Sequence, residues 1–198
     1  KYTMTTRRSF LKSSAASVAA TGLAFSGMEQ TFAAKPYAKF RMGVQSYTYR
    51  HFPFDEAMQK IADLGLHHVE LFSGHLDHNR ITPKELKEAK KRLKGLGLQA
   101  DACGVNGFST DEKAARIIFE FAKTLGMRSL SADPSEDSFD LLDKLVEEYD
   151  IPIAIHNHGP SHKWGKPEVI LDAIKDHHPL IGLCADTGHF LRADVDPV

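Results

Sequence analysis

The chain has 198 residues, of which 42% are hydrophobic and 26% are charged, a composition typical of an ordinary globular domain. Its formal net charge of -1 gives no strong field that would attract nucleic acid or an anionic membrane. The two cysteines, Cys103 and Cys184, are too few for a disulfide framework, and we expect both to be small buried core residues. The eleven histidines invite a metal-site interpretation, although composition alone does not establish one.

The N-terminal segment has the features of an export signal. Thr6 to Lys12 contains two adjacent arginines, a Phe-Leu pair and a lysine, and it resembles the twin-arginine translocation signal of bacteria. The weakly apolar run from Ala15 to Phe25 is too short and too rich in Ser, Ala and Gly to span a bilayer stably. Thr31-Phe32-Ala33 offers a small-x-small cleavage site. We therefore predict a periplasmic protein, exported through the twin-arginine pathway, whose residues 1–35 are a signal or disordered segment.

From Phe40 onward, short apolar runs alternate with amphipathic stretches, which predicts strands alternating with helices. The predicted strands lie near Met42–Tyr47, His68–Phe72, Leu98–Cys103, Arg128–Asp133, Ile151–His156 and Ile181–Asp186. The predicted helices lie near Phe54–Leu64, Pro83–Leu96, Asp111–Leu125, Ser138–Tyr149 and Pro167–His177. Thr82, Pro83 and Glu85 form a helix start with a cap and a capping-box glutamate. A glycine follows three of the helices, where a left-handed residue is favoured: Gly65, Gly97 and Gly126.

Side-chain alternation decides between a closed barrel and an open, doubly wound sheet. In the predicted fifth strand, Ile151, Ile153 and Ile155 share one face, and His156 lies on the other. An open sheet covered by helices on both sides would be apolar on both faces, whereas a barrel has helices only outside. We therefore predict an α/β fold over residues 40–198, a (β/α)8 TIM barrel truncated to about six βα units. The chain is expected to be a fragment that lacks the last two units.

Acidic and imidazole side chains converge on one rim of the predicted barrel. The inward residues near the strand C-termini are Gln45, Tyr47, Glu70, Asp101, Asp133, His156 and Asp186, followed closely by His158 and His189. Mixed carboxylate and imidazole ligands with open positions suit Mn, Mg, Co or Zn. Structural alternatives remain open, because Asp186 could cap the following turn, His158 could cap a loop and Glu70 could be a paired carboxylate. Six other histidines are expected to be mostly solvated: His67, His75, His78, His162, His177 and His178.

Three segments, Val69–Phe72, Ile153–Pro160 and Gly182–Phe190, resemble the xylose-isomerase-like superfamily of barrels, often called sugar phosphate isomerases/epimerases. The resemblance runs from about residue 40 to the C-terminus. It implies a divalent metal held by residues that end strands five to eight. His156, where the family usually has glutamate, and Asp186 are the implied metal ligands. The family's seventh-strand histidine and eighth-strand glutamate have no counterpart in this sequence.

The resemblance implies a divalent-metal-dependent isomerase, epimerase or related lyase that acts on a sugar or keto-sugar through an enediolate. The metal would act as a Lewis acid on the substrate carbonyl and a neighbouring hydroxyl. Glu70 and His158 are the candidate catalytic residues. His189, Asn157 and Tyr47 are the candidate substrate contacts, and export favours a small carbohydrate over a phosphorylated metabolite.

Two other functions stay open at this point. A non-catalytic carbohydrate-binding barrel is favoured by His156 in place of the family's glutamate. An endonuclease-IV-like phosphodiesterase of the same superfamily is disfavoured by the near-neutral charge and the export signal, since phosphate binding favours a basic surface. No nucleic-acid partner and no stable membrane span are therefore expected. The 198-residue chain alone could also be inactive, because half of the implied ligand set is absent.

Overall fold

The computed structural model describes residues 40–197, so the predicted signal segment and its boundary at residue 35 lie outside the described residues. The described part forms a parallel sheet of six strands that follow one another in sequence order. Each strand pairs in parallel with the next, and helical connections join them. This is the order of a (β/α) barrel, because every crossover returns the chain to the neighbouring position. None of the described helices has the length and apolar character that a membrane crossing requires.

The strands are β1 (Gly43–Gln45), β2 (His68–Leu71), β3 (Gln99–Phe108), β4 (Ser129–Pro134), β5 (Ile153–His156) and β6 (Ile181–Cys184). The helices are α1 (Phe54–Asp63), α2 (Pro83–Gly95), α3 (Glu112–Leu125), α4 (Phe139–Tyr149), α5 (Pro167–Ile174) and α6 (Thr187–Arg192). All the predicted strands and helices are present. The three glycines predicted to follow helices have left-handed backbones, with φ of 74° at Gly65, 69° at Gly97 and 73° at Gly126.

Among the boundaries that differ from the sequence prediction, two affect residues discussed below. β6 ends at Cys184 instead of Asp186, and Asp186 is the N-cap of the short helix α6, which the prediction missed. β3 does not stop at Cys103 but runs on to Phe108 through a stretch that includes Asn106. The polar and glycine residues of that stretch are typical of a loop, so the sequence pattern did not predict a strand there. Asn106 is nevertheless buried within the strand, because its side chain donates hydrogen bonds to backbone carbonyls.

One face of the sheet carries the hydrophobic core. The strand residues on this face that are at most 1% exposed are Val69, Leu71, Leu130, Ala132, Ile153 and Ile155. They belong to one cluster with buried residues of the helices, such as Met58, Phe119 and Leu142. Because alternate residues of a strand face opposite ways, the polar residues between them face the other side. The alternation that predicted a barrel is therefore present in the structure.

Asp111 caps α3, and its side chain accepts a hydrogen bond from the Ala114 backbone N–H at 3.0 Å. We expect Asp111→Ala to lower the free energy of unfolding by about 1 kcal/mol, because that N–H loses its acceptor. Asp111→Asn should keep most of the stability, because asparagine is a comparable cap. Urea denaturation of the three proteins measures the effect, and an alanine variant with an unchanged midpoint would contradict it.

Candidate metal and carbohydrate site

His156 and Asp186 lie at the same edge of the sheet. His156 ends β5 and pairs with Cys184, the last residue of β6, while Asp186 follows β6 by two residues. His156 Nε2 lies 3.6 Å from Asp186 Oδ2. The structure thus brings together the two residues that the sequence analysis proposed as metal ligands, at the ends of neighbouring strands.

The two carboxylate oxygens of Asp186 have different contacts. Oδ1 accepts a hydrogen bond from the His189 backbone N–H at 3.0 Å and so caps α6. Oδ2 faces His156 Nε2 and also lies 3.9 Å from His189 Nε2. The capping interpretation and the ligand interpretation of Asp186 are therefore compatible, because each uses a separate oxygen.

The donor set at this edge fits a divalent cation. Zinc bonds to imidazole nitrogen and carboxylate oxygen are about 2.1 Å long, so two ligands 3.6 Å apart would subtend about 120° at a shared ion. Carboxylate and imidazole together suit the borderline and hard divalent metals. Among the described residues, His156 Nδ1 and His189 Nδ1 are buried and have no hydrogen-bond partner. A buried polar atom without a protein partner calls for one from outside the chain, such as water or an ion.

Asn157 holds the backbone of Asp186 in place. Its side chain is fully buried, and its Nδ2 donates to the Asp186 carbonyl at 2.9 Å. Its Oδ1 accepts from the Asp186 backbone N–H at 2.7 Å. Asn157 was predicted to contact substrate. Because both ends of its amide bond to Asp186, the structure favours a positioning role instead.

Glu70 lies on β2 in a partly buried environment, where Gln45 Nε2 donates to its Oε1 at 3.2 Å.

Burial, and to a lesser extent the charge of Glu70, raise the pKa of Cys184 and bring the pKa of Cys103 to about 12. Both thiols are therefore held in the protonated form near neutral pH. Cys103 is buried as predicted, whereas Cys184 is only partly buried.

Tyr47 does not end a strand, as the sequence analysis expected. β1 stops at Gln45, and Tyr47 belongs to a short 3-10 turn over Ser46–Tyr49. Tyr47 as a whole residue is 46% exposed, and its ring contacts Phe72 edge-on, with 4.9 Å between the ring centroids. Because Phe72 directly follows β2, Tyr47 lies at the same edge of the sheet as Glu70, where a substrate contact stays a prediction.

His158 contacts histidines on two sides. Its ring centroid is 4.7 Å from that of His156 and 4.4 Å from that of His162. Burial, followed by the charges of these two neighbours, lowers the pKa of His158. Its imidazole is therefore neutral near pH 7 and can accept a proton.

His162 is a further candidate residue that the sequence analysis did not single out, because it expected a solvated side chain, whereas the structure has it partly buried and paired with a carboxylate. Its Nε2 lies 3.4 Å from Asp133 Oδ2, at the end of β4. The Gly159-Pro160 pair was the available signal, because such a pair indicates a turn that brings the following residues back toward His158. His162 N–H does bond to the Gly159 carbonyl at 3.0 Å.

Asp101 is not at this edge, in contrast to the prediction. It lies near the start of β3, and its Oδ2 is 2.7 Å from His68 Nδ1 at the start of β2. The error follows from the underestimated length of β3. Three more of the histidines expected to be solvated are also partly buried and have hydrogen-bond partners: His75 Nδ1 lies 2.9 Å from Ser46 Oγ, His177 Nδ1 lies 2.8 Å from an oxygen of Asp143, and His178 Nδ1 accepts from the Leu180 backbone N–H at 3.2 Å.

Comparison with known proteins identifies the N-terminal segment. Residues 4–24 match the TAT (twin-arginine translocation) pathway signal sequence. This match confirms the predicted signal and indicates export through the twin-arginine pathway. No curated protein matches the chain at a significant level.

Solved structures share the fold. An uncharacterized protein from Parabacteroides distasonis has a TM-score of 0.63 at 25% identity, over 74% of this chain and 63% of that chain. A xylose isomerase-like TIM barrel protein from Mycobacterium smegmatis, in complex with magnesium, has a TM-score of 0.62 at 14% identity, over 78% of this chain and 67% of that chain. The IolI protein, with a bound zinc atom, has a TM-score of 0.61 at 18% identity, over 78% of this chain and 66% of that chain.

These similarities confirm the predicted fold, because the described βα units match part of a xylose isomerase-like TIM barrel. The chain spans less than two thirds of the length of the Parabacteroides protein. Two of the similar structures hold a divalent metal, magnesium in one and zinc in the other.

Proposed function

We propose that the chain carries a divalent-metal site of an enzyme that isomerises or epimerises a sugar or keto-sugar. The observation that carries this proposal is the pairing of His156 Nε2 with Asp186 Oδ2 at 3.6 Å, at the edge where the strands of a TIM barrel end. His156 and Asp186 would hold the cation. When bound, the cation would polarise a substrate carbonyl and stabilise the charge that develops on its oxygen.

Two side chains at the same edge of the sheet, Glu70 and His158, can supply proton transfer. Glu70 is the candidate base for the proton next to the substrate carbonyl, whose removal gives an enediolate. The hydrogen bond from Gln45 Nε2 fixes Oε1 of Glu70, so Oε2 is the oxygen that would accept the substrate proton. His158, neutral near pH 7, can carry a proton between substrate oxygens.

Two further groups would hold the substrate in position. His189 Nε2 lies near Asp186 Oδ2 and can bond a substrate hydroxyl. Tyr47 offers an exposed ring, against which the apolar face of a sugar can pack. Export through the twin-arginine pathway favours a carbohydrate outside the cytoplasm as the substrate.

Chelation tests the metal requirement. The full-length protein would be assayed on a panel of keto-sugars before and after treatment with EDTA, and again after addition of Mn²⁺, Mg²⁺, Co²⁺ or Zn²⁺. We expect turnover to fall at least about 100-fold without metal and to return with one of the four ions, because the carbonyl then loses its Lewis acid. Equal turnover before and after chelation would contradict the proposal.

A non-catalytic carbohydrate-binding barrel is the second candidate, favoured by His156 where the resembling family usually has glutamate. Binding without turnover separates the two functions. Calorimetric titration with the same keto-sugars would then give saturable heats, while the product composition stays unchanged over long incubation.

A further inference from the structure

We propose that Asp133, His158 and His162 form a second divalent-cation site, of the class that takes Zn²⁺, distinct from the pair His156 and Asp186. One ligand atom from each of the three residues lies within 4.8 Å of the other two. Two imidazoles and one carboxylate are a common zinc ligand set, which leaves one tetrahedral position open. The site goes beyond the proposed function, since neither His162 nor Asp133 takes part in it.

The contacts among the three side chains are close. His162 Nε2 lies 3.4 Å from Asp133 Oδ2, and the rings of His158 and His162 have centroids 4.4 Å apart. Each side chain is partly buried, so the ligands are shielded from bulk water and yet reachable by an ion. A shared ion about 2.1 Å from each ligand atom needs separations of about 3–4 Å. The Asp133–His162 distance already meets that requirement.

Trp164 holds the loop that carries the two histidines against β4. Its indole N–H donates to the Pro134 carbonyl at 3.1 Å, and its side chain is only 1% exposed. Its carbonyl accepts the His158 backbone N–H at 3.1 Å. Because Pro134 directly follows Asp133, these bonds fix the distance between the histidine loop and the carboxylate. The backbone that carries the ligands is therefore held in place before any ion binds.

One present contact competes with the ion. The Trp164 backbone N–H donates to His162 Nδ1 at 3.2 Å, so in the neutral ring the proton lies on Nε2 and faces Asp133. Zinc binding through Nε2 moves that proton to Nδ1 and ends the contact with Trp164. Because Trp164 is the chain's single tryptophan, its fluorescence reports occupancy of this site.

Lys163 also opposes the ion, since its Nζ lies 3.5 Å from Asp133 Oδ1. It forms an ion pair with Oδ1 of Asp133, the carboxylate oxygen that does not face His162. Removing this positive charge should tighten zinc binding, so Lys163→Gln is expected to raise the affinity of this site several-fold. An occupied site would also take His158 as a ligand and withdraw it from proton transfer, a consequence that rests on the proposed function.

Zinc titration of the metal-free chain tests the proposal. Isothermal titration calorimetry with ZnCl₂ should give two ions per chain, with a change in tryptophan fluorescence for one of them. Asp133→Asn and His162→Gln should each lose one ion together with the fluorescence change. Asp186→Asn should lose the other ion and keep the fluorescence change.

Asp140→Asn is the matched control. Asp140, Asp143 and His177 are another three-ligand group among the described residues, on a more exposed surface. This variant should still bind two ions and keep the fluorescence change. A single ion lost only in Asp186→Asn would overturn the second site and leave the first intact. A second ion that persists in both Asp133→Asn and His162→Gln, or that is lost in Asp140→Asn, would overturn it equally.

Discussion

Replacing Asp186 by asparagine is expected to lower the affinity of the metal-free chain for Mn²⁺ or Co²⁺ by at least about 100-fold, since even changes in the shell behind a ligand cost 10- to 100-fold. The substitution removes the negative charge of Oδ2, which faces His156 Nε2 at 3.6 Å. It keeps the other role of Asp186, because an asparagine oxygen can still accept the His189 backbone N–H. Charge and capping are thereby separated in one variant. Isothermal titration calorimetry measures the affinity directly.

Asp111→Asn is the matched control, because Asp111 also caps a helix through its side chain and belongs to neither proposed set of metal ligands. It makes the same chemical change and should leave metal affinity within about two-fold of the original. Both variants should unfold at nearly the same urea concentration as the unchanged chain. If Asp186→Asn binds the ions as tightly as Asp111→Asn does, Asp186 is only a cap.

The fold could be predicted from the sequence because local rules and tertiary packing agree. Alternation in β5 placed Ile153 and Ile155 on the core side and His156 on the other, as the structure has them. The end of β3 could not be predicted, because Asn106 is stabilised by hydrogen bonds to Cys103 and Ser131 that appear only once the sheet forms. A polar residue within a strand therefore predicts a loop when its hydrogen-bond partners are unknown.

The site was predictable only where strand geometry determines it. His156 and Asp186 follow neighbouring strands, so parallel pairing alone brings them to one edge. His162 reaches Asp133 through the loop that Trp164 holds against Pro134, a contact between residues 30 positions apart. No periodicity in the sequence encodes such a contact. Asn157 was assigned to substrate for a related reason, because its bonds to the Asp186 backbone depend on the turn after β6.

Asn157 extends the link between β5 and β6 beyond their last backbone pair, His156 with Cys184. Its amide bonds the N–H and the carbonyl of Asp186 at 2.7 Å and 2.9 Å, so it fixes where the carboxylate of Asp186 stands relative to His156. We expect Asn157→Ala to lower metal affinity about 10- to 100-fold, as loss of a group that orients a ligand does. It should also reduce the free energy of unfolding by about 1–3 kcal/mol for each Asp186 backbone group left without a partner.

Asn106→Ala separates positioning from a general loss of stability. Asn106 is also a buried asparagine, and its Nδ2 donates to two backbone carbonyls, those of Cys103 and Ser131. Its loss should reduce stability by a similar amount, yet leave the His156–Asp186 spacing and the metal affinity unchanged. Titration with Co²⁺ at a temperature well below both unfolding midpoints, together with the visible absorption of the bound ion, compares the two variants. Equal affinity and equal spectra would mean that Asn157 supports the fold alone, because a positioning residue must alter the coordination of the ion that Asp186 binds.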